Sequence, residues 1–282
     1  MKILIVGSTG MLGNTLKQYF LAIKYEIKTL DRKDLDLSQC SWGELEDKII
    51  ESDCDILINC AGLIKQRKGV TTADFIAVNS LLPHRMADIC EQQNMKMIHI
   101  TTDCVFSGGF GNYNEDSVHD VTDDYGRSKS MGEPENCTVI RTSIIGEEEN
   151  NKLSLLEWVK SNKDTKIKGY TNHQWNGVTC LQLSKTIRQI IDENLYWKGV
   201  RHIYTDDSVN KCQLVKMINE IYQLNSEIEG QETDISVNRT LKSNFDTKIF
   251  KIPFLYKQVE EMRKFHINLK NKELEDYYTN LL

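Results

Sequence analysis

Through the first half of the chain, short apolar runs alternate with stretches whose apolar residues recur every third or fourth position. The runs Lys2–Val6, Glu26–Leu30, Asp55–Cys60, Lys96–Thr101 and Thr138–Arg141 predict strands. Ile56, Leu57 and Ile58 follow one another without a polar break, which predicts a strand buried on both faces of a parallel sheet. Leu12, Leu16, Tyr19 and Phe20 fall on one face of a helix. A longer helix is expected over 72–93, kinked or broken at Pro83. Such alternation predicts an α/β fold with a doubly wound parallel sheet.

After Gly146 the rhythm changes. A polar stretch, Glu147–Asn151, leads to a short helix around Leu153–Val159, and helical spacing resumes at Leu181, Leu183, Ile187, Ile190 and Ile191. A strand at Gly199–Tyr204 and a helix at Lys211–Tyr222 are expected to return to the sheet, and the tail, 255–282, reads as two short helices. There is no internal repeat and no linker rich in Pro or Gly. Residues 1–150 are therefore read as the sheet domain and 151–282 as a smaller lobe interleaved with it.

Composition adds mainly exclusions. The 282 residues are 40% hydrophobic and 27% charged, with a net charge of −6 and no basic run, which argues against nucleic acid as a partner. No apolar stretch approaches the roughly 18 residues a membrane span needs. The opening apolar run leads straight into a glycine loop, so it reads as a strand and not a signal peptide. Eight cysteines without a Cys-x-x-Cys pair read as free thiols in a reducing cytoplasm, and the six histidines show no metal spacing.

Candidate chemistry sits where the predicted strands end. Gly7, Gly10 and Gly13 are spaced Gly-x-x-Gly-x-x-Gly between the first strand and the first helix. That context suits a dinucleotide pyrophosphate: a tight turn, backbone N–H groups free to approach phosphate, and close helix–strand packing. Gly7, Thr9, Gly10, Met11, Leu12 and Gly13 are the candidate contacts. Asp31 ends the second strand at the spacing of an acid that binds the adenosine ribose and favours NAD, whereas the adjacent Arg32 would suit the 2′-phosphate of NADP. The choice between the two stays open. Asp36 and Leu37 are candidates for the adenine edge, and a solvated loop acid is an equal reading of Asp36. The small residues Cys60, Ala61 and Gly62 close the third strand. Asn79, inside the 72–93 helix, could hold a water or the backbone near the site, although a mid-helix Asn is more often a local hydrogen bonder.

Tyr125 and Lys129 are four residues apart and would share one helical face. An ammonium beside a phenol favours the phenolate, but lowering a tyrosine from about 10 to about 7 takes roughly 4 kcal/mol, more than one lysine usually supplies, so a second cation such as an oxidised nicotinamide ring is expected beside it. Thr102, at the end of the fourth strand, can reach the same substrate oxygen as Tyr125.

Taken together, Gly7/Gly10/Gly13, Asn59–Gly62, Thr101-Thr102-Asp103-x-Val105-Phe106, Tyr125-Gly126-Arg127-Ser128-Lys129-x-x-Gly132-Glu133 and Arg141-Thr142-Ser143 resemble an extended short-chain dehydrogenase/reductase. The resemblance is closest to the dTDP-4-dehydrorhamnose reductase branch, and Gly177-Val178-Thr179 is similar to its Gly-x-Pro-Thr element without the proline. It implies hydride transfer from reduced NADP or NAD to the C4 ketone of a nucleotide-linked 4-keto-6-deoxyhexose. Tyr125 would protonate the alkoxide and Thr102 would bond the same oxygen. Lys129 would depress the tyrosine pKa and bind the nicotinamide ribose. Thr101 and Thr142 would also touch the cofactor. Thr102, Asp103, Cys104, Val105, Ser143, Ile144, Gln174, Gly177 and Thr179 would face the sugar. Homodimers are common in this superfamily.

Cys104 and Ile144 stand where that branch tends to carry an aromatic and a tryptophan, which opens the pocket to a bulkier sugar such as a UDP-2-acetamido-2,6-dideoxyhexos-4-ulose. Two other readings use the same fold. One is a nucleotide-sugar epimerase or dehydratase, although Cys104 is not the second acid a dehydratase usually has. The other is a regulatory subunit like the β subunit of methionine adenosyltransferase.

Overall fold

The computed structural model describes residues 1–67, 69–150 and 152–271. The chain begins β1 (Lys2–Val6), α1 (Met11–Ala22), β2 (Glu26–Leu30), α2 (Trp42–Glu51), β3 (Ile56–Asn59). It continues with α3 (Thr72–Phe75), a π-helical segment (Ile76–Leu81), α4 (Leu82–Gln92), β4 (Lys96–Thr102), α5 (Asp124–Ser130), β5 (Thr138–Thr142) and β6 (Ile144–Ile145). The remainder is α6 (Leu155–Ser161), β7 (Lys166–Tyr170), β8 (His173–Trp175), β9 (Val178–Thr179), α7 (Cys180–Asp192), β10 (Gly199–His202), β11 (Val209–Asn210), α8 (Lys211–Tyr222), β12 (Glu227–Gln231), β13 (Val237–Asn238) and α9 (Leu255–Asn271).

Six of these strands form one parallel sheet in the order β10-β5-β4-β3-β1-β2. Its strands are apolar on both sides because both sides are covered. Ile3, Ile5, Ile56, Ile58, Ile98, Ile100 and Ile140 point into a core shared with α1 and α7. The alternate residues Leu4, Val6, Leu57, Met97 and Val139 point into a second core with α2 and α4. The chain runs outward from β1 in both directions, to β2 on one side and to β3 on the other. A crevice at the carboxyl ends of the strands follows from that reversal.

Several expectations are refined. β10 does return to the sheet, pairing with β5. Helix α8 does not; it packs on α6, β7, β12 and α9 in the lobe. The described part of the tail is one helix, Leu255–Asn271, and the remainder of the expected pair lies outside the described residues. The helix expected over 72–93 is broken ahead of Pro83, which has no N–H to offer the carbonyl of Asn79. The backbone widens there into a π turn, with Leu82 N–H bonding back to Ala77 O. The lobe's small sheets, β11-β8-β13, β12-β7 and β6-β9, were not legible from their two- to five-residue runs.

Candidate active site

The carboxyl ends of β1, β2 and β3 form one half of the crevice. Gly7 takes a φ of +79°, and a Cβ on Gly13 would lie 2.2 Å from Gly7 O, so α1 can start close against the loop only with glycine there. A Cβ on Gly10 would meet only Gly7 O, at 3.5 Å, which leaves its outer face open. Beside this loop, Asp31 is 6% exposed. Its Oδ2 accepts from Ser8 Oγ at 2.7 Å, while Oδ1 is buried without a partner. A fixed carboxylate with one unsatisfied oxygen fits a ribose hydroxyl. Arg32 next to it is exposed. Asp36 is anchored in its own loop, its Oδ1 accepting from Ser38 N and Oγ; Leu37 packs into the second core. Thr9 is exposed, and the side chain of Leu12 is core, so only its backbone can meet a phosphate. Met11 is half-buried against the same core.

Cys60, Ala61 and Gly62 follow β3, with Ala61 N held by Asn59 Oδ1 at 3.0 Å. Burial raises the Cys60 thiol to about 12, so it is a neutral wall. A Cβ on Gly62 would sit 3.4 Å from Asn79 Oδ1 and 3.8 Å from Lys129 Nζ. Asn79 is more than a local bonder. From the π turn it accepts from Leu63 N at 2.8 Å and donates to Leu63 O at 3.0 Å and Ser128 Oγ at 3.2 Å, tying the loop after β3 to α5. Thr101 Oγ1 is buried without a partner, and Thr142 lies in register beside Thr102. The open face at Gly10, the unsatisfied Asp31 oxygen and the clear approach at Gly62 fit a dinucleotide laid across this edge.

The other half carries the catalytic candidates. Helix α5 is capped by Asp123, which accepts from Gly126 N at 3.0 Å. A Cβ on Gly126 would clash with Cys104 O at 2.5 Å, so glycine lets α5 press against the strand end that bears Thr102. The Tyr125 ring lies between Phe75, edge-on at 6.2 Å, and the Lys65 ammonium, 5.7 Å from its centroid. Lys65 is itself held by Asp123 at 2.7 Å. The sequence predicts a lowered tyrosine. In the structure burial, and then the Cys104 thiol, push Tyr125 up from its ordinary value, and the Thr102 hydroxyl opposes this. Desolvation of the phenolate outweighs the Thr102 hydrogen bond, so Tyr125 is a neutral phenol. Lys129 is buried and donates to Ile100 O at 3.2 Å. Burial pushes its ammonium down to about 8, against the opposing charge of Glu133.

Asp103 is buried and its Oδ1 accepts from Thr102 Oγ1 at 3.2 Å, while Cys104 N donates to the same hydroxyl at 3.1 Å. Burial raises the Asp103 carboxyl; Arg239 and Lys211, followed by the Ser143 and Thr102 hydroxyls, oppose it. Cys104 is half-buried, its thiol raised to about 11 by burial and by Asp103. Ser143 Oγ accepts from Trp175 Nε1 at 2.8 Å, and Ile144 pairs with Val178. Gln174 is half-buried on β8.

Three expected sugar contacts are corrected. Val105 is fully buried in a small core with Phe106, Tyr113 and Leu241. Thr179 is fully buried, and its hydroxyl caps α7 through Gln182 N at 3.1 Å. Gly177 packs on Ser143, whose oxygen would lie 2.1 Å from any Cβ there. All three positions are packed inside the protein. Sequence reasoning missed Ser8, Lys65, Asp123, Trp175, Lys211 and Arg239. Only Asp123, an N-cap residue type just ahead of the Tyr125 helix, carried a readable local signal.

A protein-family model described as the RmlD substrate binding domain matches residues 1–266. The dTDP-4-keto-6-deoxy-D-glucose reductase of Streptomyces niveus is 27% identical over 154 residues, 50% of this chain and 52% of that protein. A dTDP-4-dehydrorhamnose reductase of Mycolicibacterium smegmatis is 29% identical over 141 residues, 47% of this chain and 40% of that one. The chain thus spans about half the length of these curated relatives. The structure of a dTDP-4-dehydrorhamnose reductase from Bacillus anthracis in complex with NADP shares the fold, with a TM-score of 0.76 at 19% identity, covering 93% of this chain and 98% of that one. The family match runs from the glycine loop past Thr102, Tyr125 and Lys129 and across the lobe into α9, and on that evidence the chain belongs to the RmlD substrate-binding domain family.

Proposed function

We propose that this chain is an NAD(P)H-dependent ketoreductase acting on the C4 ketone of a nucleotide-linked 4-keto-6-deoxyhexose. The observation that carries the reading is the gathering of Thr102, Tyr125 and the buried Lys129 at the same strand edge as the glycine loop. A reduced dinucleotide bound there would supply the hydride. Tyr125, kept neutral by burial, donates its proton to the ketone oxygen as negative charge develops on it. The Thr102 hydroxyl is at hand for the same oxygen, and the Lys129 ammonium favours loss of the phenolic proton and offers a donor to the ribose. The names of the family relatives, both nucleotide-sugar reductases, agree with this.

Cys104 and Ile144 are both half-buried, and neither brings an aromatic ring to the sugar side. That leaves room for a bulkier 2-acetamido sugar on UDP beside the dTDP-4-keto-6-deoxyhexose that the relatives' names carry. The test follows NADH and NADPH oxidation against dTDP- and UDP-linked 4-keto-6-deoxy sugars, with product stereochemistry by NMR. Stoichiometric cofactor oxidation with a new C4 alcohol is expected. Product formation without net cofactor oxidation would instead make the chain an epimerase or dehydratase. Turnover of the dTDP sugar alone would remove the argument from pocket size.

A further inference from the structure

The guanidinium of Arg141 is 2% exposed and sits on β5, in register with Thr101. Its Nε and Nη2 donate to the two carboxylate oxygens of Glu133 at 3.0 and 2.6 Å. Nη2 also donates to His119 Nε2 and Nη1 to His202 Nε2, each at 2.8 Å. The Phe106 ring covers the guanidinium, 5.2 Å from Cζ. A guanidinium only donates, so both Nε2 atoms are bare acceptors and both rings carry their proton on Nδ1. Those protons are also placed: His119 Nδ1 donates to Ser130 Oγ at 2.6 Å, and His202 Nδ1 to Lys242 O at 2.8 Å. The network is satisfied at each of these atoms, which is the condition for a buried polar cluster to rigidify its surroundings.

Its partners bracket one element. His119 lies six residues before Tyr125, Ser130 is the last residue of α5, and Glu133 lies four residues after Lys129. Helix α5 has seven residues, too few to hold their own geometry without outside support. Glu133 is also the carboxylate that most opposes the effect of burial on Lys129. The third arm, through His202, reaches the lobe segment that follows Arg239. We infer that Arg141 is a positioning residue: by gripping His119 and Glu133 it fixes the helix that carries Tyr125 and Lys129 against Thr102. The roles of Tyr125 and Lys129 are those of the proposed function, and the inference rests on that reading.

His119→Leu removes one acceptor and leaves a buried guanidinium N–H unpaired, whereas His119→Gln keeps a side-chain oxygen in reach. In His119→Leu, kcat is expected to fall by about 10- to 100-fold while KM and the dinucleotide Kd change by less than about twofold. His119→Gln should recover to within about threefold of wild type. Amide hydrogen exchange on the free protein should speed up in 124–130 by at least about fivefold in His119→Leu and stay unchanged in α1. If His119→Leu does not fold, Ser130→Ala, which removes the acceptor of His119 Nδ1–H, gives the same readouts with the same expected directions. Unchanged exchange in 124–130, unchanged kcat, or equal losses in the Leu and Gln variants would overturn the inference. A wild-type protein that turns over no keto sugar would refute the functional reading, and the exchange measurement would still decide whether Arg141 fixes α5.

Discussion

The two halves of the crevice are assembled in opposite ways. On the dinucleotide side, each contributing group directly follows the strand that presents it: Gly7 to Gly13 after β1, Asp31 after β2, Cys60 to Gly62 after β3. On the sugar side, Asp103, Ser143, Trp175, Lys211 and Arg239 come from five separate segments that meet only after the lobe has packed. The first half depends on local backbone geometry, the second on tertiary assembly. Tyr125, Thr102 and Lys129 stand between them and would serve both in the proposed reaction.

The largest expected effect falls at that junction. Tyr125→Phe removes the proposed proton donor and almost no volume. It should lower kcat by about 10²- to 10⁴-fold and leave dinucleotide affinity within about twofold. Steady-state kinetics with a fluorescence titration of NADH would measure both. Near-normal turnover would move the proton donor to Thr102 or to the sugar side and undo the division between the halves.

Within the dinucleotide half, Gly13 and Gly10 separate folding from binding. A methyl at Gly13 collides with backbone at 2.2 Å, so Gly13→Ala should destabilise the protein by about 1–3 kcal/mol in denaturant melts. Gly10→Ala meets nothing closer than 3.5 Å and should melt like wild type, while the added methyl on the open face weakens the dinucleotide Kd. Equal destabilisation in both variants would show that the loop is a structural turn and not a cradle.

This contrast also explains what could be read in advance. The strands, the sheet and the glycine loop were legible because apolar runs and glycine spacing are local signals. β1 and β2 begin and end where the pattern places them. The residue pair at the centre, Tyr125 and Lys129, was legible for the same reason. The direction of the tyrosine's pKa was not, because burial depends on Phe75, Cys104 and the loop carrying Lys65, all distant in sequence. Val105, Gly177 and Thr179 were assigned to the sugar through a resemblance in sequence, which carries no information on whether a side chain points into a core or into an opening. The Arg141 network joins residues 119, 133, 141 and 202 and has no local pattern at all.

Lys129 provides a test by pH. Its ammonium titrates near 8 in the free protein because burial disfavours the charged form. Values of kcat/KM for the dinucleotide report the free enzyme, so they should fall about tenfold per pH unit above that value, once the amine is neutral. The sign for stability is opposite. The native state binds fewer protons than the unfolded chain between about 8 and the ordinary lysine value near 10.4, so stability from this group rises with pH across that window while activity declines. An activity profile flat to pH 9.5 or so would mean that the lysine charge is not used on either side of the crevice.

The smallest expected effect tests the sugar half. Thr179 is fully buried at the N-cap of α7, so Thr179→Ala should cost about 1 kcal/mol of stability through the lost bond to Gln182 N. KM for the keto sugar should stay within about twofold, since the hydroxyl is fully buried and taken up by Gln182 N. Replacing Cys104 by a larger residue should do the reverse, raising KM with little change in melting, because that thiol is half-buried beside Thr102 and fills no core. If Thr179→Ala raised KM while its melt stayed unchanged, the residue would be a ligand contact after all. The sugar half would then extend past the Ser143–Trp175 contact into the start of α7, and the segment would be a lining of the pocket and not its support.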